Sequence, residues 1–224
     1  RVGANSGSVN KNFLSMERYK ALAESALEQV RILEKNNFGD IVVSIKSSDV
    51  KETVYANRYI SQKIDYPIHL GVTEAGIMED SVILSSAGIG SLLIDGIGDT
   101  IRVSVTGDPL REIPVAKKIL GLLSFTNEVR VISCPTCGRT EIEIEKLVET
   151  VKKSVSDIKT NQKITIAVMG CVVNGPGEAS HADLALCGTR FGAALYENGS
   201  FVMNIKKEFI ENEIKEYIAK KWGE

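Results

Sequence analysis

IVVSIKSSDVKETVYANRYISQKIDYPIHLGVTE, residues 41–74, decides the class of fold. It opens on an apolar run, Ile41–Lys46, and passes through an amphipathic stretch, Lys51–Ile64. After Asp65-Tyr66-Pro67 it returns to a second apolar run, Ile68–Thr73. Short apolar runs bounded by turn residues predict strands, and apolar residues at helical spacing predict a helix. Strand, helix and strand in that order predict a parallel pair joined by a crossover helix.

The rhythm extends both ways. Arg1–Asn5 and Thr100–Thr106 predict further strands. Met16–Lys35, with Leu22, Ala26, Val30 and Leu33 at helical spacing, and Pro109–Leu123 predict further helices. Such β-then-α repetition implies a parallel sheet, open or closed into a barrel. Successive side chains of a strand face opposite ways. Arg1 and Asn5 therefore share a face, as do Ser44 and Lys46, and Arg102 and Ser104; Glu74 is expected to follow Leu70 and Val72 on theirs. Asn5, Lys46, Glu74 and Ser104 then stand at or near the C-terminal ends of four successive strands, where a β/α barrel carries its chemistry. A buried ion pair inside the barrel would use one or two of them as well. Two Gly-rich stretches, Ser85–Gly90 and Asp95–Asp99, read as turns, either phosphate-facing or simply tight. Neither matches a Walker or dinucleotide motif.

From Glu128 onward the pattern changes. Glu128–Ser133, Ile164–Met169, Asp183–Cys187, Ala193–Glu197 and Ser200–Ile205 predict short strands, and Glu141–Ser156 and Lys206–Trp222 predict helices, giving a small α/β domain. The expected division is 1–124 and 125–224.

All four cysteines fall in this second part. Cys134-Pro135-Thr136-Cys137-Gly138 is a C-x2-C knuckle, and Cys171 ends another strand in Cys171–Glu178. A secreted disulfide scaffold would be smaller and richer in cysteine, so a metal or redox site fits better. Three thiolates suit an iron–sulfur cluster or zinc. A fourth ligand has two candidates, Cys187 and Glu178; an oxygen ligand would be exchangeable. Spacing alone leaves cluster and structural zinc both open.

The remaining composition is that of an ordinary globular chain: 224 residues, 43% hydrophobic, 25% charged, net charge −2. That balance argues against nucleic acid. No apolar run reaches the roughly 20 residues of a membrane span, and no secretory signal is visible. Residue 1 is Arg, and Arg1–Asn5 reads as a strand in mid-run; the expectation is a chain that begins inside a larger protein, the alternative being a removed leader.

Six stretches carry a resemblance: Arg1–Ser8, Val43–Asp49, His69–Gly76, Asp95–Ser104, Cys134–Thr140 and Gly170–Glu178. Together they resemble the 4-hydroxy-3-methylbut-2-en-1-yl diphosphate synthase family, from residue 1 to about 205. The resemblance implies the C-terminal part of a TIM-type (β/α)8 barrel followed by a small α/β reductase domain with a [4Fe–4S] cluster. It implies reductive ring opening of 2-C-methyl-D-erythritol 2,4-cyclodiphosphate to (E)-4-hydroxy-3-methylbut-2-enyl diphosphate in isoprenoid synthesis, with electrons from ferredoxin or flavodoxin. It also implies a bacterial, cytoplasmic homodimer in which the cluster domain of one subunit caps the other's barrel. By the same resemblance Cys134, Cys137, Cys171 and Glu178 hold the cluster and Cys187 does not. Asn174 lies near cluster and substrate, Arg1, Asn5, Lys46 and Ser104 bind diphosphate, Arg102 holds phosphate or carboxylate, and Glu74 protonates or positions substrate. Family members carry further barrel strands before the Arg1 motif. A Schiff-base aldolase on Lys46 is the competing enzyme reading and leaves the cysteines without a task. A zinc-stabilised binding module or an iron–sulfur sensor is the non-enzyme reading.

Overall fold

The computed structural model describes residues 1–156, 158, 160–173, 177 and 179–222. The chain divides into two compact units, Arg1–Leu123 and Ser124–Glu224.

The first unit repeats strand and helix four times: β1 (Val2–Asn5), α1 (Arg18–Lys35), β2 (Val43–Lys46), α2 (Val50–Ser61), β3 (His69–Gly71), α3 (Met78–Ile94), β4 (Thr100–Arg102) and α4 (Glu112–Leu122). The strands β1 and β2 pair in parallel with Asn5 opposite Lys46, and β3 and β4 pair in parallel with Gly71 opposite Arg102. A parallel bridge between Val43 and Ile68 joins β2 to β3. Carried forward three residues, that register sets Lys46 level with Gly71. Asn5, Lys46, Gly71 and Arg102 therefore form one rung at the C-terminal ends of the strands. Gly3, Ser44, His69 and Thr100 form the rung beneath.

The alternate residues Ala4, Ile45, Leu70 and Ile101 turn to the helices and join the core with Leu22, Ala26, Val54, Ile60, Ile89 and Leu92. Each fully buried Leu or Ile contributes about 1.5–3 kcal/mol relative to exposure. The Asp49 Oδ1 accepts the Glu52 N–H at 2.7 Å and starts α2. The buried Asn57 Nδ2 donates to Ile45 O at 3.0 Å and fastens that helix to β2.

Three expectations are corrected here. Ser85–Gly90 is not a turn but the middle of α3, a helix that the sequence does not announce because it is apolar on nearly every side. Its Gly88 lies so close to the segment after β3 that an added Cβ would stand 2.6 Å from Val72 Cγ2. Glu74 does not continue the face of Leu70 and Val72. The strand stops at Gly71, and Glu74 takes a left-handed φ of 56°, which breaks the alternation. Ser104 lies beyond the end of β4, which stops at Arg102. Asp95–Asp99 is a tight turn, with Gly96 at φ 74° and Gly98 at φ 117°, the latter directly against Leu70.

The second unit holds β5 (Val129–Ser133), α5 (Ile144–Val155), β6 (Ile164–Met169), β7 (Leu184–Thr189), β8 (Gly192–Glu197), β9 (Ser200–Lys206) and α6 (Ile210–Trp222). They form one five-stranded sheet in chain order. The first three strands pair in parallel, and β8 pairs antiparallel with both β7 and β9. One face, with Ile164, Ile166, Val168, Leu184, Leu186 and Leu195, packs on α5 and α6. The other, with Ala167, Met169, Ala185 and Cys187, is covered by Ala179 and Ala182. No described helix is long and apolar enough to cross a membrane.

Candidate active site

In the first unit the polar groups converge on the two rungs. Lys46 ends β2 and is only 7% exposed. Its stem lies over Gly71, where an added Cβ would stand 3.4 Å from Lys46 Cε and 2.8 Å from Arg102 O. The absent side chain of Gly71 is thus what lets the lysine cross toward β4. Burial, reinforced by the charges of Arg102 and Arg1, pushes the Lys46 amine down to about 8. The strand is followed by a tied turn. The Ser47 N–H donates to Thr53 Oγ1 at 3.0 Å, the Ser47 hydroxyl donates to Glu52, and the Asp49 N–H donates to Ser47 Oγ at 3.1 Å.

Arg102 leaves β4 and donates to Ser104 Oγ from Nε at 3.1 Å and from Nη2 at 2.6 Å. The backbone of Ser104 is anchored in turn, since its carbonyl accepts the Ser81 hydroxyl of α3 at 2.6 Å. Asn5 sits opposite Lys46, and its Oδ1 accepts the Gly7 N–H at 3.0 Å. Arg1 precedes β1 and is exposed, yet its charge reaches both Lys46 and His69. The structure thus brings Arg1, Lys46, Arg102 and Ser104 into one cationic group, with Asn5 on its rung. Glu74 is exposed, three residues past the end of β3.

His69 joins the same group, although the sequence reading assigned it no role. It lies on the face of Lys46 in the lower rung, and its Nδ1 stands 2.8 Å from Thr100 Oγ1. Burial first, then the charges of Lys46, Arg1 and Arg102, push its imidazole down to about 4, so it is neutral near pH 7. Its place two residues before Gly71, on one face of one strand, was the available signal.

In the second unit the thiols gather where the parallel strands end. Cys134 directly follows β5, and its Sγ accepts the Gly170 N–H at 3.2 Å. Gly170 in turn follows β6 and precedes Cys171. The Glu141 N–H donates to Gly170 O at 2.8 Å, which ties the knuckle loop to the Cys171 strand. Cys137 is exposed, and the Arg139 backbone N–H and the Thr140 hydroxyl hold its thiol below the ordinary value. Cys187 is buried opposite Met169. Burial, followed by the charges of Cys171 and Cys134, pushes its thiol up to about 11. Among the described residues, no three His, Cys, Asp or Glu side chains stand close enough together to hold one ion. Asn174 and Glu178 lie outside the described residues.

The donor chemistry fits a thiolate-ligated cluster. Two of the three assigned cysteines follow neighbouring parallel strands, a backbone N–H already donates to one sulfur, and the surroundings of Cys137 favour its thiolate. Cys187, which strongly disfavours a thiolate, is the poorest ligand of the four.

Comparison with known proteins places both units. The GcpE TIM-barrel domain matches residues 1–117, and the GcpE protein C-terminal domain matches residues 130–220. A curated "4-hydroxy-3-methylbut-2-en-1-yl diphosphate synthase (flavodoxin)" from Thermotoga petrophila is 53% identical over 218 residues, covering 97% of this chain and 62% of the relative. The protein of the same name from Thermotoga maritima is 52% identical over 218 residues, with the same coverage. That from Clostridium acetobutylicum is 49% identical over 220 residues, covering 96% of this chain and 62% of the relative. The chain therefore spans about 62% of the length of these curated relatives.

Proposed function

From the premise that this chain belongs to the GcpE family, we propose that the whole protein converts 2-C-methyl-D-erythritol 2,4-cyclodiphosphate into (E)-4-hydroxy-3-methylbut-2-enyl diphosphate, a two-electron reductive ring opening in isoprenoid synthesis. The observation that carries the reading is the rung that sets Asn5, Lys46 and Arg102 level across β1, β2 and β4. Arg1, Lys46 and Arg102 supply the positive charge that a diphosphate needs, and Ser104 and the Asn5 amide supply neutral donors. The four strands read as the later half of a TIM-type barrel, whose C-terminal strand ends are the usual seat of chemistry.

Cys134, Cys137, Cys171 and Glu178 would hold a [4Fe–4S] cluster. When bound, it supplies the two electrons that the reaction consumes, received one at a time from flavodoxin or ferredoxin. The chain's own residues do the rest. The cationic rung fixes the diphosphate and thereby the carbon skeleton attached to it. The oxygen that departs as water needs a proton, and Glu74 is the carboxyl assigned to deliver it or to orient the substrate. Its left-handed backbone costs about 1 kcal/mol or more for a non-glycine residue, a strain that tends to persist at working sites. Asn174 is assigned beside the departing oxygen. The reading includes a cytoplasmic homodimer in which each cluster domain caps the partner's barrel.

Anaerobic reconstitution of the full-length protein tests this. Four irons per chain, turnover of the cyclic diphosphate with reduced flavodoxin, and a Glu178→Gln variant that keeps its iron while losing turnover are the expected results. Stoichiometric zinc without iron would overturn the reading.

A further inference from the structure

The imidazole beneath the cationic rung has no task in the reaction outlined above. His69 stands level with Ser44 of β2 and Thr100 of β4, and is 8% exposed. Its Nδ1 is occupied by Thr100 Oγ1 at 2.8 Å. Its Nε2 is buried and has no hydrogen-bond partner among the described residues. An unpaired buried polar atom costs about 1–3 kcal/mol. A fold tolerates that where a ligand completes the bond.

The surroundings of the ring say what such a ligand must be. Arg1 acts on it from before β1, Lys46 from β2 and Arg102 from β4, and all three are cations. Asp99, just before β4, directs its Oδ2 to the Ile68 N–H at 2.7 Å and is not among the charges that act on the ring. Among the described residues, the charges that act on the ring are all positive.

We propose that His69 is a further ligand of this anion site, a neutral imidazole that accepts from the Thr100 hydroxyl at Nδ1 and donates from Nε2–H to a phosphate oxygen. The inference rests on reading the rung as a diphosphate site, and it adds a donor that is uncharged when the site is empty. A fourth cation there would repel the other three, whereas a neutral N–H does not. Once a phosphate binds, its charge opposes theirs and the proton affinity of the ring rises. Binding at mildly acidic pH is then accompanied by proton uptake at His69.

The test is a titration of the full-length, 15N-labelled protein with inorganic pyrophosphate, read by imidazole NMR. The His69 signals are assigned by their loss in His69→Gln. Saturation should move the Nε2 resonance of His69 and raise its titration midpoint, while the exposed His181 stays unchanged. Calorimetry on two variants then locates the donor. Gln places an amide near the Nε2 position, so His69→Gln should bind within about threefold of wild type. Asn reaches only the Nδ1 position, so His69→Asn should bind about tenfold more weakly or worse. Pyrophosphate that binds while His69 stays unmoved would overturn this inference and leave the diphosphate reading intact. Equal weakening in both variants would overturn the donor at Nε2. Failure of the wild-type protein to bind pyrophosphate at all would overturn both readings. If His69→Gln fails to fold, loss of the signals in His69→Asn assigns them, and the wild-type spectra still decide the matter.

Discussion

In Arg1–Leu123 the charged groups stand on or at the ends of strands, whereas in Ser124–Glu224 three of the four thiols stand on the loops that follow strands. A strand transmits its register to what it carries. Lys46 and His69 are therefore held in place by backbone pairing, and both are desolvated for it, down to about 8 and about 4. A loop transmits much less. Cys137 stays exposed, and its position is set by local bonds to Arg139 and Thr140. The one cysteine that does lie within a strand, Cys187, shows the cost of the other arrangement: buried in the sheet, it holds on to its proton. Rigid support would suit the proposed anion site, which presents its charge before the ligand arrives. Loop support suits thiolates that close around a metal centre.

This contrast predicts the largest effect in the loop-borne set. Cys134→Ala or Cys171→Ala should abolish iron binding and turnover while the thermal transition of the first unit persists, as followed by iron analysis and calorimetry. Full iron content in either variant would dissolve the distinction drawn here.

Next in size is Lys46→Gln. It should weaken pyrophosphate binding by about ten- to a hundredfold, the usual scale for a hydrogen bond to a charged group. The pH dependence follows with a definite sign. The folded amine releases its proton at about 8 and the unfolded one near its ordinary value of 10.5. Between those values the unfolded chain binds more protons, so the penalty of burying the ammonium is fully present below about pH 8. It is relieved as pH rises through that window. Melting temperature should therefore gain a rising contribution above pH 8 that Lys46→Met removes. Anion affinity should fall over the same range. A Lys46→Met protein with the wild-type pH slope would show that another group is responsible.

Gly71→Ala sharpens the strand side of the comparison. Its methyl group would press on Arg102 O and the Lys46 stem, so a loss of about 1–3 kcal/mol is expected in denaturant titrations, together with weaker anion binding. The smallest effect belongs to Cys187→Ala. It should keep its iron and lose only about 1 kcal/mol, the cost of a small cavity. Loss of iron in that variant would move the proposed fourth ligand from Glu178 to Cys187.

The reach of the sequence is uneven for physical reasons. The repeat centred on residues 41–74 is readable because β2 and β3 are short apolar runs and α2 is amphipathic with an Asp49 cap. The α3 helix is hidden because it has no polar face to set a period, and its Ser85, Gly88 and Gly90 mimic a turn. Alternation also fails past a strand's end. Glu74 lies in left-handed backbone and Ser104 beyond β4, so neither position follows from counting residues. The cysteines were legible by spacing, yet spacing could not rank Cys187. Only burial against Ala179, Ala182 and Met169 separates it from the others.

By itself, then, the sequence determined the β/α rhythm, the family resemblance and the candidate residues, because periodicity and motif spacing are local properties of the chain. Tertiary structure decided which of those residues meet. Lys46, Gly71 and Arg102 come from three segments, and only the pairing of β2, β3 and β4 sets them on one rung. It also decided that His69 belongs with them. A lone histidine says nothing of its neighbours until the fold surrounds it with Arg1, Lys46 and Arg102.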